Sequence, residues 1–66
     1  MSNESKLLAL ISKETNRERL AQAEVLVSGR VADHAEYRHV CGVIRGLNIT
    51  ESFINDLVQR LENDDD

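Results

Sequence analysis

SGRVADHAE, residues 28–36, holds a signal that ends one helix and, directly after it, a signal that begins another. Gly29 accepts the left-handed backbone conformation that commonly follows the last turn of a helix. Asp33 is a preferred N-cap residue, and Glu36 has the spacing of a capping box, in which its carboxylate reaches back toward the helix start. The stretch therefore predicts a short link between two helices, and so short a link makes them antiparallel.

The segments on either side of this link have the composition of helices. The chain contains no proline and only three glycines, fewer turn residues than a series of strands requires. Asn3 or Ser5 can cap the first helix. We predict an all-α fold, an antiparallel helical hairpin with helices over about residues 6–28 and 34–61, in a single domain of residues 1–61.

The remaining segment, residues 62–66, is almost entirely acidic, and its composition predicts a solvated, disordered tail. Across the chain, twelve acidic side chains against eight basic ones give a net charge of −4. This charge disfavours attachment to nucleic acid or to an anionic membrane surface, and the arginines are dispersed and not interleaved with aromatic residues. Nucleic acid is therefore not an expected partner.

The size of the chain limits the core that it can form by itself. A chain of 66 residues buries only about 60% of the surface that it exposes when unfolded, and small domains usually compensate with disulfides, a metal or association. Cys41 is the single cysteine, so it supplies neither an internal disulfide nor a cysteine-rich zinc site. Association with another chain is the remaining way to complete the core.

On a helical wheel, the second helix has an apolar stripe wider than one neighbouring helix can cover. Its members are Tyr37, Val40, Val43, Ile44, Leu47, Ile54, Val58 and Leu61, widened by Phe53 and Leu57. The first helix is expected to turn a narrower face inward, made of Leu7, Leu8, Leu10, Ile11, Ala21, Val25 and Leu26. The middle of that face is interrupted by Glu14, Thr15, Glu18 and Gln22. We predict that two copies form a four-helix bundle, which covers the apolar surface that the first helix leaves exposed on the second. Higher oligomers or a different partner are the alternatives.

Gly42 and Gly46 lie one turn apart on the second helix, beside Phe53, so another helix could approach closely there. Alternatively the glycines are merely tolerated, or Gly46 marks a kink before a third short helix that begins near Thr50. The predicted interaction surface comprises Tyr37, Val40, Gly42, Gly46, Leu47, Phe53, Ile54 and Leu57. Carboxylates on an inner face need partners, which predicts polar contacts between subunits from Glu14, Glu18 and Arg45.

Catalytic and metal sites are not expected. Glu36 and His39 have the Glu-x-x-His spacing of di-iron bundles, but the additional carboxylate that such a site needs is misplaced, because Glu18 lies about a turn too far from the link. No spacing indicates a catalytic triad or a phosphate-binding loop, and Cys41 is interpreted as a small semi-buried side chain. We therefore expect no enzyme activity and no cofactor.

The expected location is a reducing cytoplasm, or a particle assembled in one. The chain has a single thiol and no basic-then-apolar N-terminal segment with a cleavage site, so we do not expect secretion. Its longest apolar runs, residues 7–11 and 23–27, are far shorter than the roughly 20 residues needed to cross a bilayer.

The stretch EYRHVCGVIRGL, residues 36–47, together with ETN at residues 14–16 and SGR at residues 28–30, resembles small helical proteins encoded by tailed bacteriophages. The resemblance covers most of the chain. It implies a short hairpin with an acidic end and a head, connector or assembly-accessory role, in the host cytoplasm or the virion.

Two functions follow from these observations. The first is a non-enzymatic oligomerising interaction module of a bacteriophage, structural or assembly-accessory, whose partners are further copies and virion proteins. The alternative is a small acidic inhibitor that binds a host enzyme through a helical face. Ordered, clustered carboxylates would favour the inhibitor, whereas the helices here carry mixed charge.

Overall fold

The chain folds into two long helices packed side by side. The computed structural model describes residues 3–64, in which α1 spans Asn3–Val27 and α2 spans His34–Asp64, with no strand in that range. The hairpin is a rod of 51 × 15 × 12 Å. The predicted all-α hairpin is confirmed. Because α2 is continuous through Gly42 and Gly46, the alternative of a third helix that begins near Thr50 is wrong.

The turn after α1 forms as predicted around Gly29, which has a φ of +75°. The Ser28 amide still donates to the Glu24 carbonyl at 2.8 Å, and the Gly29 amide donates to the Leu26 carbonyl at 3.3 Å, closing the last turn. The Ser28 hydroxyl accepts a hydrogen bond from Arg30 Nε at 2.9 Å. The two bonds from the Ser28 and Gly29 amides satisfy carbonyl groups that a helix end otherwise leaves without partners.

The start of α2 is capped by Asp33 and Glu36. Asp33 Oδ1 accepts from the Glu36 amide at 2.8 Å, and the Asp33 carbonyl accepts from the Tyr37 amide at 3.0 Å. Glu36 Oε2 accepts from the Ala32 amide at 3.0 Å. The predicted capping box is confirmed, with the Glu36 carboxylate reaching one residue beyond the cap.

We call the row of positions at which the two helices face each other the seam. Its members recur at alternating spacings of three and four residues, the pattern of helices that pack nearly parallel along their length, and all are buried or half-buried. On α1 the seam consists of Ser5, Leu8, Ser12, Thr15, Arg19, Gln22 and Leu26. On α2 it consists of Val40, Ile44, Leu47, Glu51, Ile54, Val58 and Leu61.

The α1 side of the seam differs from the prediction. Leu7, Leu10 and Ile11 were expected to face inward, and this is wrong: their exposed fractions are 59%, 61% and 43%. Small and polar side chains face α2 in their place. The reason is that the α1 positions opposite the apolar stripe of α2 recur every seven residues, and in α1 most of these positions hold small or polar residues. The hairpin therefore hides polar groups of α1 and leaves much of its apolar surface outside.

The far end of α2 also extends beyond the predicted boundary. Residues 62–64 belong to the helix, although they were predicted as the start of the disordered tail. Residues 65 and 66 of that predicted tail lie outside the described residues.

Candidate interaction surface

The hairpin buries very little of its own apolar surface. Among the described residues, only Val40 and Ile54 are buried hydrophobic side chains, each 5% exposed. The accessible surface of the chain is 5241 Å². A compact monomer of 7.5 kDa exposes about 4,250 Å². About 1,000 Å² of surface is thus in excess, and the Cα radius of gyration is 15.2 Å, against about 11 Å for a compact domain of this length.

Part of this excess is apolar and lies on one side of the hairpin. The Ser12–Glu51 hydrogen bond fixes the alignment of the helices, so Ile11 and Leu7 lie level with about residues 52 and 56 of α2. Helical periodicity turns these two side chains to the same side of the hairpin as Phe53 and Leu57. We call this patch the apolar face, and it consists of Leu7, Ile11, Gly46, Phe53 and Leu57.

The apolar face combines exposed large side chains with glycines that leave room for another helix to approach. Phe53 is 62% exposed and Leu57 44% exposed. A Cβ atom built on Gly46 would meet nothing within 4 Å, and the same holds for Gly42, which lies at the outer border of the face. The hairpin has room for a side chain at both positions. A close approach within the chain therefore does not explain why either residue is glycine.

The structure divides the predicted interaction surface into three groups. Gly46, Phe53 and Leu57 lie together on the apolar face, with Gly42 at its border. Tyr37, 49% exposed, lies near the link in the first turn of α2. The third group lies in the seam, within the chain's own interface, and consists of Val40, Leu47 and Ile54.

Two exposed α1 side chains, Leu7 and Ile11, belong to the apolar face but were assigned to the hairpin interior from the sequence. The signal that identifies them is the seven-residue spacing of the seam. Once Ser5, Ser12 and Arg19 are placed inward at that spacing, Leu7 and Ile11 must turn aside.

The acidic residues predicted to contact another subunit already have neighbours on α1. Glu14 Oε1 lies 3.6 Å from Arg17 Nη1, with both side chains largely exposed. Glu18 Oε1 accepts a hydrogen bond from Gln22 Nε2 at 3.0 Å. Exposed pairs of this kind contribute little to stability, so they leave these carboxylates free to exchange partners. Arg45 is exposed on α2.

Tyr37 forms a small cluster near the link. Its ring stacks on His34, with ring centroids 6.1 Å apart and the planes inclined by 22°. A hydrogen bond with the Cys41 thiol one turn away is the main cause that raises the pKa of the Tyr37 hydroxyl, and charge interaction with Cys41 and desolvation raise it further. Tyr37 and His34 are exposed, whereas Cys41 is half-buried.

The structure shows where the Glu-x-x-His pair lies. Glu36 is engaged in capping, and His39 is exposed. Among residues 3–64, no three His, Cys, Asp or Glu side chains are grouped so that they could hold a metal ion. An open groove on α2 is lined by Phe53, Asp56, Leu57 and Arg60, so it borders the apolar face.

Neither helix of residues 3–64 has the length and apolar character of a membrane span. No protein-family model, no curated protein and no solved structure matches the chain.

Proposed function

We propose that this chain is a non-enzymatic interaction module that assembles with a second copy of itself, so that two hairpins form a four-helix bundle. The observation that carries the proposal is the uncovered surface: about 1,000 Å² more than a compact monomer of this mass exposes. A standard protein interface buries about 800 Å² on each partner. The excess therefore matches what one partner of similar size covers.

A second copy is the occupant that fits the apolar face. In a two-fold contact, residue i of one subunit meets residue j of the other, and j meets i. If the two α2 helices cross antiparallel about an axis between Ile49 and Thr50, each Phe53 lies over Gly46 of the other copy. The phenyl ring then fills the space that the glycine leaves open, which supports a symmetric contact.

The use of this module follows from the resemblance to small phage proteins. We propose a structural or assembly-accessory role in the virion, in which repeated hairpins pack against one another or against other virion proteins. The resemblance of residues 36–47 and the exposed apolar side chains of the hairpin support this role. Purification of tagged chain from infected cells tests it. Recovery of virion proteins supports the role, and recovery of one host enzyme instead supports inhibition.

Self-association is tested by the mass in solution. Sedimentation equilibrium and native mass spectrometry are expected to give twice the 7.5 kDa chain mass at micromolar concentration. A well-folded chain that remains monomeric up to millimolar concentration would overturn the proposal.

Replacement of Gly46 by leucine separates the hairpin from the dimer. Within the hairpin the new side chain meets open space, and loss of a helical glycine gains about 1 kcal/mol of helix propensity. At the dimer contact the same side chain blocks the neighbouring phenyl ring. We expect more stable helix and weaker association, with Ser52→Leu as a matched control that adds leucine to an exposed position away from the apolar face. Equal association of both variants and the unaltered chain would exclude the glycine contact.

A further inference from the structure

The seam contains a half-buried polar layer in the half of the hairpin away from the link. Ser12 Oγ donates a hydrogen bond to Glu51 Oε1 at 2.5 Å, joining α1 to α2 across 39 residues of sequence. A carboxylate is an unusual group at such a position, because burial removes the water that solvates its charge.

The second oxygen of this carboxylate is not satisfied. Glu51 Oε2 has almost no contact with solvent, and it accepts no hydrogen bond from residues 3–64. A single bond from Ser12 therefore serves a group that can accept several. An apolar side chain at position 51 would relieve this cost, so Glu51 does not contribute to the seam by stabilising it.

The neighbouring seam positions on α2 are apolar. Leu47 and Ile54 lie on either side of Glu51, and Ile54 is one of the two buried hydrophobic side chains. With leucine at position 51, α2 would present an unbroken apolar row. Such rows accept neighbouring helices in several alignments and numbers, whereas one polar residue in the row restricts both at a cost in stability.

We propose that Glu51, held by Ser12, is the specificity-determining residue of the assembly, which limits it to one oligomer order. The inference rests on the proposed self-association. A larger bundle, in which the apolar rows of several α2 helices meet, would set the Glu51 carboxylate against Leu47 and Ile54 of a neighbouring copy without the Ser12 hydroxyl, which disfavours that arrangement.

The experiment compares Glu51→Leu, Glu51→Gln and Ser12→Ala with the unaltered chain. Native mass spectrometry and sedimentation velocity count the species, and circular dichroism measures thermal unfolding. Glu51→Leu is expected to unfold at a higher temperature while forming a mixture of oligomer orders. Glu51→Gln retains a polar acceptor for Ser12, so it is expected to keep one species. Ser12→Ala leaves the carboxylate without its donor and is expected to lower the unfolding temperature.

The outcomes separate this inference from the proposed function. If the unaltered chain is a dimer and Glu51→Leu is the same single dimer, the inference is wrong and self-association stands. If the unaltered chain is monomeric and Glu51→Leu associates, the proposed function is wrong but Glu51 still restricts assembly. If neither associates, both are wrong. A mixture of oligomer orders that appears only with Glu51→Leu, together with a higher unfolding temperature, supports the specificity role. A variant that was merely destabilised would unfold at a lower temperature.

Discussion

Replacement of Phe53 by alanine tests the apolar face quantitatively. A phenylalanine side chain carries about 200 Å² of surface, so the 62% exposed in the hairpin leaves about 120 Å² for a partner to cover. Alanine retains part of that contact, and the net loss of about 80 Å² corresponds to about 2 kcal/mol. Because a two-fold dimer contains the contact twice, the total is about 4 kcal/mol, which raises the dissociation constant about 1,000-fold.

The same substitution should leave the separate hairpin almost unchanged. Phe53 makes no contribution to the seam, and substitutions at exposed positions usually alter stability by less than about 0.5 kcal/mol. Sedimentation equilibrium over a dilution series measures dissociation, and circular dichroism measures helix content. Leu20→Ala is the matched control, because Leu20 is 59% exposed and helical periodicity turns it to the other side of α1 from Leu7 and Ile11. A dissociation constant that rises equally in both variants, or in neither, would refute this reasoning.

A double variant identifies what Phe53 contacts. If the phenyl ring lies over Gly46 of the second copy, Gly46→Leu removes space that Phe53→Ala restores. The double variant is then expected to associate more tightly than the sum of the single effects predicts. Strictly additive effects would place the two residues in separate contacts.

Two further predictions concern the start of α2. Asp33→Ala removes the acceptor of the Glu36 amide, and we expect the free energy of unfolding to fall by about 1 kcal/mol in urea titrations monitored by circular dichroism; an unchanged value would contradict the cap. Tyr37 is the single tyrosine, so the ultraviolet absorbance of tyrosinate reports its titration directly. Its midpoint is expected above the usual value of about 10, and Cys41→Ala is expected to return it toward that value. Because the pKa is raised in the folded chain, the associated stability is present below about pH 10 and is lost as the pH rises through the folded pKa. Identical midpoints in both chains would remove Cys41 as the cause.

The signals that could be predicted from the sequence are local ones. Gly29, Asp33 and Glu36 act within one turn of helix, so residue identity and spacing are enough to locate the link. The apolar stripe of α2 is also regular enough to predict which side of this helix faces α1. These features determine the hairpin.

The orientation of α1 could not be predicted in this way. Its apolar residues point in several directions, so leucines at positions 7, 8 and 10 do not define one face. The inner side is decided by alignment with α2, where small side chains such as Ser5 and Ser12 allow the helices to approach. The Ser12–Glu51 bond likewise joins residues far apart in sequence, and no local pattern indicates it. For the same reason the contribution of Leu7 and Ile11 to the apolar face emerges only from the three-dimensional arrangement.

The link at residues 28–33 also determines the order in which the hairpin closes. Contacts between the seam positions nearest the link enclose a short loop, so they cost little chain entropy, whereas the Ser12–Glu51 contact encloses a much longer one and is expected to form later. Opening proceeds in reverse, and the ends opposite the link separate first. A transiently released first half of α1 then exposes Leu8, and the vacated groove on α2 can accept the same segment from a neighbouring chain. If hairpins exchange segments, the exchange is therefore expected to begin at the open end, with the link still folded.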